Sequence, residues 1–270
     1  MQRTCACPSR EQKASATRFP LLHKFTTMYQ FLNTRRKLLT LAGISGADPD
    51  GRTTSKIEMQ LKKASATWRR KMKSLVNELG VVELPDRAPV LSERHLQNCR
   101  MVANREVILQ HMKKGGIVAE VGVQEGHFSR SILKICMPEK LHLVDIELTT
   151  YGIHQNFQPE IEKGQVVLHE GDSSTTLSQF NDAYFDFIYI DADHSYWGVQ
   201  RDIQAAKTRI KHDGFLVFND YTYWSPGECI NYGVIQAVNE LCTEEDWELA
   251  YFALAGHMYC DVAIRKFQTP

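Results

Sequence analysis

The sequence predicts an α/β protein built on a mostly parallel sheet, and three observations support this fold class. From Ile117 onward, short apolar strands alternate with segments that have the apolar spacing of helices. The first strand breaks at two glycines, Gly122 and Gly126, directly before a helix. The last two strands, at 247–254 and 258–267, have no helix-length segment between them and should pair as a hairpin.

Each strand of the predicted sheet is a short apolar run. We expect strands at 117–123, 141–146, 165–169, 185–191 and 215–220, with helices between them. The first strand is apolar except for Glu120, which is typical of a strand that is covered on both faces. Upstream, Ser92 is a candidate N-cap for a helix through Cys99, and Asn104 for another through Lys113.

The first 90 residues differ in composition from the rest. Residues 1–47 hold eight Lys/Arg and one acid, so we predict that 1–53 is a basic segment, either disordered or a transit peptide. A twin-arginine export signal at 34–43 is a weaker alternative, because its apolar stretch is short. Residues 45–54 have the composition of a linker. We assign 54–90 to a basic helix and linker, and 91–270 to the α/β domain.

The predicted helix in 54–90 is amphipathic. Its apolar residues recur at helical spacing: Ile57, Leu61, Ala64, Trp68, Met72, Leu75 and Leu79. Lys and Arg residues occupy its other face. Such a helix could lie on an anionic membrane, pack on a second copy in a homo-oligomer, or dock on its own domain.

Composition limits the function classes. The formal net charge is zero and the pI is about 7.1, so the whole chain gives no electrostatic case for nucleic acid as a partner. No apolar run reaches the length of about 18 residues that a membrane span needs. The seven cysteines are scattered without the spacing of a zinc site, which favours reduced thiols in a cytoplasmic protein. The basic amino-terminal segment keeps organelle import open as an alternative.

Acidic residues follow four consecutive strands of the predicted sheet. They are Asp145, Asp172, Asp191 and Asp220. Ligands of open α/β sheets bind beyond the carboxyl ends of the strands. Any one of these acids could simply cap the next helix. Four in succession at one sheet edge indicate a ligand site.

Two motifs carry a resemblance to a known family. The spacing Glu120-x-Gly122-x-x-x-Gly126 resembles the first motif of class I S-adenosylmethionine-dependent methyltransferases. The segment from Ile190 to Asp202 (IDADHSYWGVQRD) resembles a signature of small-molecule O-methyltransferase-like proteins in that class. The resemblance covers about 91–267. It implies a Rossmann-like, seven-stranded sheet with helices on both faces, and methyl transfer to a hydroxyl oxygen of a small molecule.

The same resemblance implies which residues hold S-adenosylmethionine. The set is Glu120, Gly122, Val123, Gly126, Asp145, Ile146, Gly171, Asp172, Ser173 and Asp191. Asp145 would accept hydrogen bonds from the ribose hydroxyls, and Asp172 with Ser173 would contact the adenine amino group. Glu120 would lie beneath the methionine portion.

Hydroxyl acceptors ionise poorly at neutral pH, so their methylation needs a base or a divalent cation. We expect His194 to be the base, with Asp191 at the catalytic centre. Asp191 and Asp220 are candidate Mg²⁺ ligands, with Asp193 as an alternate. The spacing of Asp191 and His194 resembles that of some macrolide-sugar O-methyltransferases. Catechol-type enzymes have Asn after the second acid, whereas this chain has Tyr221.

The residues around the predicted site indicate the function less specifically than these motifs do. A group of aromatic residues could form the floor of an acceptor pocket: Tyr196, Trp197, Tyr221, Tyr223 and Trp224. Residues 149–164 have the length of a lid. Three other functions stay open: N- or C-methylation without a metal, a nucleotide-dependent oxidoreductase, and a non-catalytic binding protein. The oxidoreductase would need a G-x-G-x-x-G turn that this strand–helix junction lacks.

Overall fold

The computed structural model describes residues 59–60, 62–67, 69–71, 73–74, 88–225, 228, 230–255 and 258–268. The predicted basic segment 1–53 and the linker at 45–54 lie outside these residues. The chain divides into two compact units, residues 1–81 and 82–270. In the first unit, the described residues between 59 and 74 are helical and exposed, as the apolar spacing predicts for this segment.

The second unit alternates helices and strands. The helices are α1 (Glu93–Leu96), α2 (Arg105–His111), α3 (His127–Cys136), α4 (Ile153–Asn156), α5 (Gln158–Glu162), α6 (Ser173–Leu177), α7 (Tyr196–Ala206) and α8 (Val234–Glu244). The strands are β1 (Arg100–Val102), β2 (Ile117–Val121), β3 (Lys140–Asp145), β4 (Val166–Glu170), β5 (Phe185–Ile190), β6 (Ile210–Phe218), β7 (Trp224–Ser225), β8 (Ile230–Asn231), β9 (Trp247–Ala253) and β10 (Asp261–Lys266).

The strands form an eight-stranded sheet in the order β1-β9-β10-β6-β5-β2-β3-β4, while β7 and β8 pair with each other. Strands β2 to β6 are mutually parallel, and β10 is antiparallel to both of its neighbours, β6 and β9. The predicted α/β class, parallel sheet and terminal hairpin are thus confirmed. The last strand of the chain lies inside the sheet, between two strands that precede it in sequence.

Two local predictions differ from the structure. The helix capped by Ser92 ends at Leu96 and does not continue to Cys99. The chain instead becomes strand β1, which pairs in parallel with β9 and adds an eighth strand to the seven predicted. Pairing with an open sheet edge satisfies backbone groups that a short helix would leave free, and this tertiary effect overrides local propensity.

Apolar side chains on the two faces of the sheet form two cores. Strand β5 is buried along its whole length, so its side chains enter both cores in alternation. Ile188 packs in one core and Phe187 in the other, each without solvent exposure. This two-sided burial fixes the register of β5, and with it the position of the residues that follow the strand.

Two further predictions concern the described residues as a whole. None of their helices is both long and apolar enough to cross a bilayer. Their four cysteines are free thiols: Cys99, Cys136, Cys242 and Cys260. The other three cysteines lie outside the described residues.

The close packing of the turn after β2 can be tested by adding a single methyl group at Gly122. Gly122 has φ +85°, and a Cβ at this position would lie 1.9 Å from the Asp191 carbonyl oxygen. Gly122→Ala should therefore lower the free energy of unfolding by about 3 kcal/mol or more. Gly115 is the matched control, because it has φ +66° with no atom within 4 Å of the added Cβ. Gly115→Ala should cost only about 1 kcal/mol. Urea denaturation followed by circular dichroism measures both, and equal costs would contradict the packing argument.

Candidate functional site

The carboxyl ends of β2, β3, β5 and β6 bring together residues that are far apart in the sequence. The glycine turn follows β2, Asp145 ends β3, Asp191 follows β5, and Asp220 lies two residues beyond β6. Because these strands are parallel, their carboxyl ends lie at one edge of the sheet. The structure thus places the predicted strand-end acids at a common edge.

Asp145 holds the glycine turn in place. Its Oδ2 accepts hydrogen bonds from the backbone N–H groups of Val123, at 2.6 Å, and Gln124, at 3.0 Å. Its Oδ1 accepts a third bond from the Glu147 N–H at 3.1 Å. The other glycine of the turn, Gly126, has φ +74° and forms the N-cap of α3. Asp145 therefore has a role within the turn that the sequence did not indicate.

Glu120 is a buried acid beneath the turn. Only 1% of the residue is exposed, and burial raises the pKa of its carboxyl group to about 8. Ser129 and Arg105 act in the opposite direction but do not restore the ordinary pKa. Its Oε2 has no hydrogen-bond partner among the described residues. A buried oxygen without a partner is costly, so this atom is suited to a donor supplied by a ligand.

Asp172 caps α6. It accepts hydrogen bonds from the Thr175 N–H at 2.8 Å and from the Ser174 hydroxyl at 2.7 Å, which lower the pKa of its carboxyl group to about 2. The Ser173 hydroxyl donates to the buried Asp202 at 2.5 Å. Both predicted adenine-contacting residues thus have partners within the protein, and the contact with adenine stays a prediction.

Two more predicted cofactor residues lie beside the strand ends. Ile146 directly follows β3 and its side chain is largely exposed. The Gly171 N–H donates to the Asp145 carbonyl oxygen at 2.8 Å, which ties the end of β4 to the end of β3. Both residues border the edge where the cofactor was predicted, and their contacts with it remain a prediction.

His194 lies between two carboxylates. Its Nε2 is 3.5 Å from Asp191 Oδ1 and 3.7 Å from Asp220 Oδ2. The imidazole stacks on the Tyr232 ring, with the centroids 4.5 Å apart. Burial lowers the pKa of His194, against the opposing effects of Glu228 and Asn219, so the neutral form is favoured. Its buried Nε2 has no hydrogen-bond partner among the described residues.

A second group of polar residues joins this site through Arg105, which no sequence motif indicates. Arg105 Nη1 donates to the Tyr189 hydroxyl at 3.1 Å and lies 4.0 Å from Asp191 Oδ2. The Tyr189 hydroxyl donates to Asp261 at 2.7 Å, and Asn219 Nδ2 donates to the Tyr189 oxygen at 3.1 Å. These residues come from α2, β5, β10 and the position directly after β6, so no local sequence motif could have linked them.

A cavity of about 690 Å³ is lined by Arg105 and by two residues that contact His194, Asp220 and Tyr232. Its lining contains four acidic residues and one basic residue: Glu106, Asp220, Glu228, Asp261 and Arg105. Ser225, Tyr232 and Tyr259 add hydroxyl groups to the lining. This volume is within the range of pockets that bind small organic molecules. The excess of acids favours ligands that donate hydrogen bonds or carry positive charge.

The predicted Mg²⁺ site finds no support in the arrangement of the side chains. Among residues 88–225 and the other described parts of the chain, no group of three or more His, Cys, Asp or Glu side chains could hold a metal ion. Asp191 and Asp220 do lie on either side of His194. However, the Arg105 guanidinium beside Asp191 already supplies positive charge there. The predicted metal alternate, Asp193, instead accepts a bond from the Ser195 N–H at 2.9 Å.

The predicted aromatic floor lies elsewhere. The Tyr196 hydroxyl donates to Glu240 and the Tyr221 hydroxyl to Asn239, both on α8. Trp197 is 74% exposed and does not line the cavity. The aromatic residues that do line it, Tyr232 and Tyr259, were not predicted. Their positions depend on the chain path after β6, which carries no periodic signal.

The predicted lid at 149–164 is packed rather than open. It forms α4 and α5, and Ile153 and Phe157 are buried in the core. The Arg130 guanidinium stacks on the Phe157 ring, 4.0 Å from its centroid. A Cβ at Gly126 would lie 2.6 Å from this ring, so the segment covers the glycine turn closely.

The buried carboxyl group of Glu120 should make stability depend on pH. Its pKa is about 8 in the folded chain and near 4.5 when unfolded, so the folded state binds more protons between these values. Stability should therefore fall as pH rises through this window. Glu120→Gln removes the effect and should be more stable than the original chain at pH 8, by roughly 2–4 kcal/mol, but not at low pH. Thermal melts across the window measure the difference.

Asp172→Asn is a control that should change the pH dependence of stability in the opposite direction. The pKa of Asp172 is lowered to about 2, so its contribution to stability is present above the unfolded value of 3.8 and is lost as pH falls toward 2. This variant should be less stable throughout the neutral range. A Glu120→Gln difference that does not change with pH would contradict the burial argument.

Comparisons with known proteins agree with this geometry. Residues 119–221 match the family model described as a methyltransferase domain. No curated protein sequence matches the chain. A candidate rRNA methylase from Clostridium thermocellum has a similar fold, with a TM-score of 0.50, 11% identity, and coverage of 63% of this chain and 99% of that one.

Two further solved structures are similar at lower TM-scores. A candidate O-methyltransferase from Klebsiella pneumoniae has a TM-score of 0.47 and 16% identity, over 60% of this chain and 76% of that one. The pyocyanin biosynthetic protein PhzM has a TM-score of 0.45 and 14% identity, over 57% of this chain. This chain spans about half of the length of PhzM, 51%.

The family match includes the glycine turn, Asp145, Asp191 and His194, and the mostly parallel sheet has the predicted terminal hairpin. The chain therefore contains a methyltransferase domain, matched over residues 119–221, and its sheet has the Rossmann-like fold of S-adenosylmethionine-dependent methyltransferases.

Proposed function

We propose that this enzyme methylates a hydroxyl oxygen of a small molecule and that His194 accepts the proton of that hydroxyl. One observation carries the proposal. His194 Nε2 is buried, lacks a hydrogen-bond partner among the described residues, and lies between the carboxyl groups of Asp191 and Asp220, the second of which lines the cavity. A neutral imidazole with a free nitrogen can receive a proton.

The flanking acids make His194 a better base when it acts. In the resting site, burial favours the neutral imidazole. Once the imidazole takes a proton, the Asp191 and Asp220 carboxyl groups stand 3.5 and 3.7 Å from the charged Nε2, and the positive charge favours their ionised forms. The base is therefore neutral before the reaction, and its protonated form has two acidic neighbours.

The residues at the glycine turn fit S-adenosylmethionine. This cofactor supplies a methyl group that its sulfonium already activates. The unpartnered Oε2 of Glu120 is suited to the ammonium group of the methionine portion. Asp145 fixes the backbone of Val123 and Gln124 and keeps lone pairs for the ribose hydroxyls. Asp172 and Ser173 would border the adenine.

The cavity supports a small-molecule acceptor. Its volume of about 690 Å³ suits a single organic molecule, and its carboxylates would bind an acceptor rich in hydroxyl groups. In this proposal the catalytic unit is the domain at 91–270. The four free thiols among the described residues support a cytoplasmic setting.

The excess of acids in the cavity also supports a second candidate, N-methylation of an amine. Glu106, Asp220, Glu228 and Asp261 could hold a cationic acceptor in the same cavity. An amine must lose a proton before it reacts, and His194 could take it. A screen of hydroxyl and amine acceptors with radiolabelled S-adenosylmethionine separates the two. Methylation of amines alone would replace the first proposal.

His194→Ala should reduce kcat at least about 100-fold and leave cofactor affinity unchanged, because the base is lost while the glycine turn is intact. In the original enzyme, activity should fall only as pH drops through the pKa of His194, which lies below the ordinary value of 6.5. The variant should lack this acidic limb. Initial rates across pH, with calorimetry for the cofactor, measure both effects.

His212→Ala is the matched control, because this histidine is exposed near the opposite end of β6. It should leave kcat unchanged. Unchanged turnover of His194→Ala with a true acceptor would rule out His194 as the base. Activity assayed before and after complete chelation tests the metal separately, and loss that Mg²⁺ restores would return Asp191 and Asp220 to a ligand role.

Asp145→Ala should abolish measurable cofactor binding in calorimetry. The substitution removes the ribose acceptor and frees the Val123 and Gln124 N–H groups that shape the turn. Asp172→Ala is the comparison variant, since it removes a helix cap at the neighbouring strand end. It should weaken binding to a smaller extent. Affinity near the original value in Asp145→Ala would refute the ribose assignment.

A further inference from the structure

The helix between residues 59 and 74 has a basic surface that the methyltransferase reaction does not use. Six Lys and Arg residues in it are helical and exposed: Lys62, Lys63, Arg69, Arg70, Lys71 and Lys73. At 100° per residue, the six positions fall within an arc of about 200°, and the remaining arc holds none of them. Ala64 projects into that remaining arc and is also exposed.

The sequence places apolar residues in the arc opposite the basic residues. In the helix that the sequence predicts, at 100° per residue, the seven apolar positions fall within about 80° of one another. They are Ile57, Leu61, Ala64, Trp68, Met72, Leu75 and Leu79. A basic face opposite an apolar face that includes Trp is the pattern of helices that lie in a membrane interface.

The two units of the chain also differ in charge. Residues 1–81 contain 16 Lys/Arg and 5 Asp/Glu, whereas residues 82–270 contain 16 and 27. The net charge of zero therefore conceals a strongly basic first unit and an acidic second unit. An anionic surface would attract the first unit and repel the second, so attraction to such a surface must come from the first unit.

We propose that this helix binds the protein to anionic lipid membranes, with its basic residues at the headgroups and its apolar face in the interface. A nucleic acid would also attract the basic residues, but it offers no apolar layer for the opposite face. The apolar arc therefore favours a lipid surface. The helix would hold the methyltransferase at a membrane without spanning the bilayer.

The test uses the full chain and sedimentation with vesicles. Vesicles containing phosphatidylserine should bind the protein, whereas pure phosphatidylcholine vesicles should bind it at least about tenfold less. Each basic residue near an anionic surface strengthens membrane binding about fivefold. The triple variant Lys62→Glu, Lys63→Glu, Arg69→Glu should therefore lose binding by at least about 100-fold. The matched control reverses three exposed basic residues of the second unit, Arg100, Lys134 and Lys163, and should bind as the original chain does.

A second pair of variants separates lipid from nucleic acid. Ala64→Glu and Ala66→Glu change the charge equally, but at 100° per residue position 64 lies in the apolar arc and position 66 among the basic residues. Circular dichroism confirms that each variant folds. Ala64→Glu should weaken vesicle binding clearly more than Ala66→Glu. Equal effects, equal binding to both vesicle types, or binding to a DNA duplex in preference to the anionic vesicles would overturn the proposal.

Discussion

The close packing of Gly122 against the backbone of Asp191 is the constraint on which the site depends. The Asp191 N–H donates to the Val121 carbonyl oxygen at 2.7 Å, and no side-chain atom separates the glycine from the Asp191 carbonyl. The turn proposed to hold the methyl donor and the strand end that leads into Asp191 are therefore joined through backbone. Transfer between two bound molecules depends on such fixed alignment. A side chain at this position would push the two halves of the site apart.

Around this contact, the site gathers more carboxylates than it has positive charge to balance. Burial raises the pKa of Asp191 and brings that of Asp220 to about 7 and that of Asp261 to about 6. Arg105 is the cation placed among them, and it bonds Tyr189 while lying beside Asp191. These buried carboxyl groups thus retain protons that a positively charged or hydrogen-bond-donating ligand could displace. Ligand binding and proton release should be coupled here.

The sequence predicted the sheet and the strand-end residues because both depend on short-range patterns. Apolar runs identify β2, β3 and β5, and the acids at their ends are adjacent in sequence to those runs. Arg105, Asn219 and Asp261 join the site through contacts between distant elements, and no spacing rule connects them. Strand β1 was not predicted, because its conformation depends on pairing with the edge of β9. The role of Asp145 in the turn likewise depends on hydrogen bonds that a sequence does not display.

The position of β10 has a consequence for how the protein forms during synthesis. This strand is synthesised after β6 and β9, yet it lies between them and carries Asp261 into the site. Until it arrives, β6 and β9 each present an unpaired edge, which can associate with other chains. Nascent chains that lack β10 should therefore be inactive and prone to aggregate, and chaperones would recognise those edges before the enzyme can act.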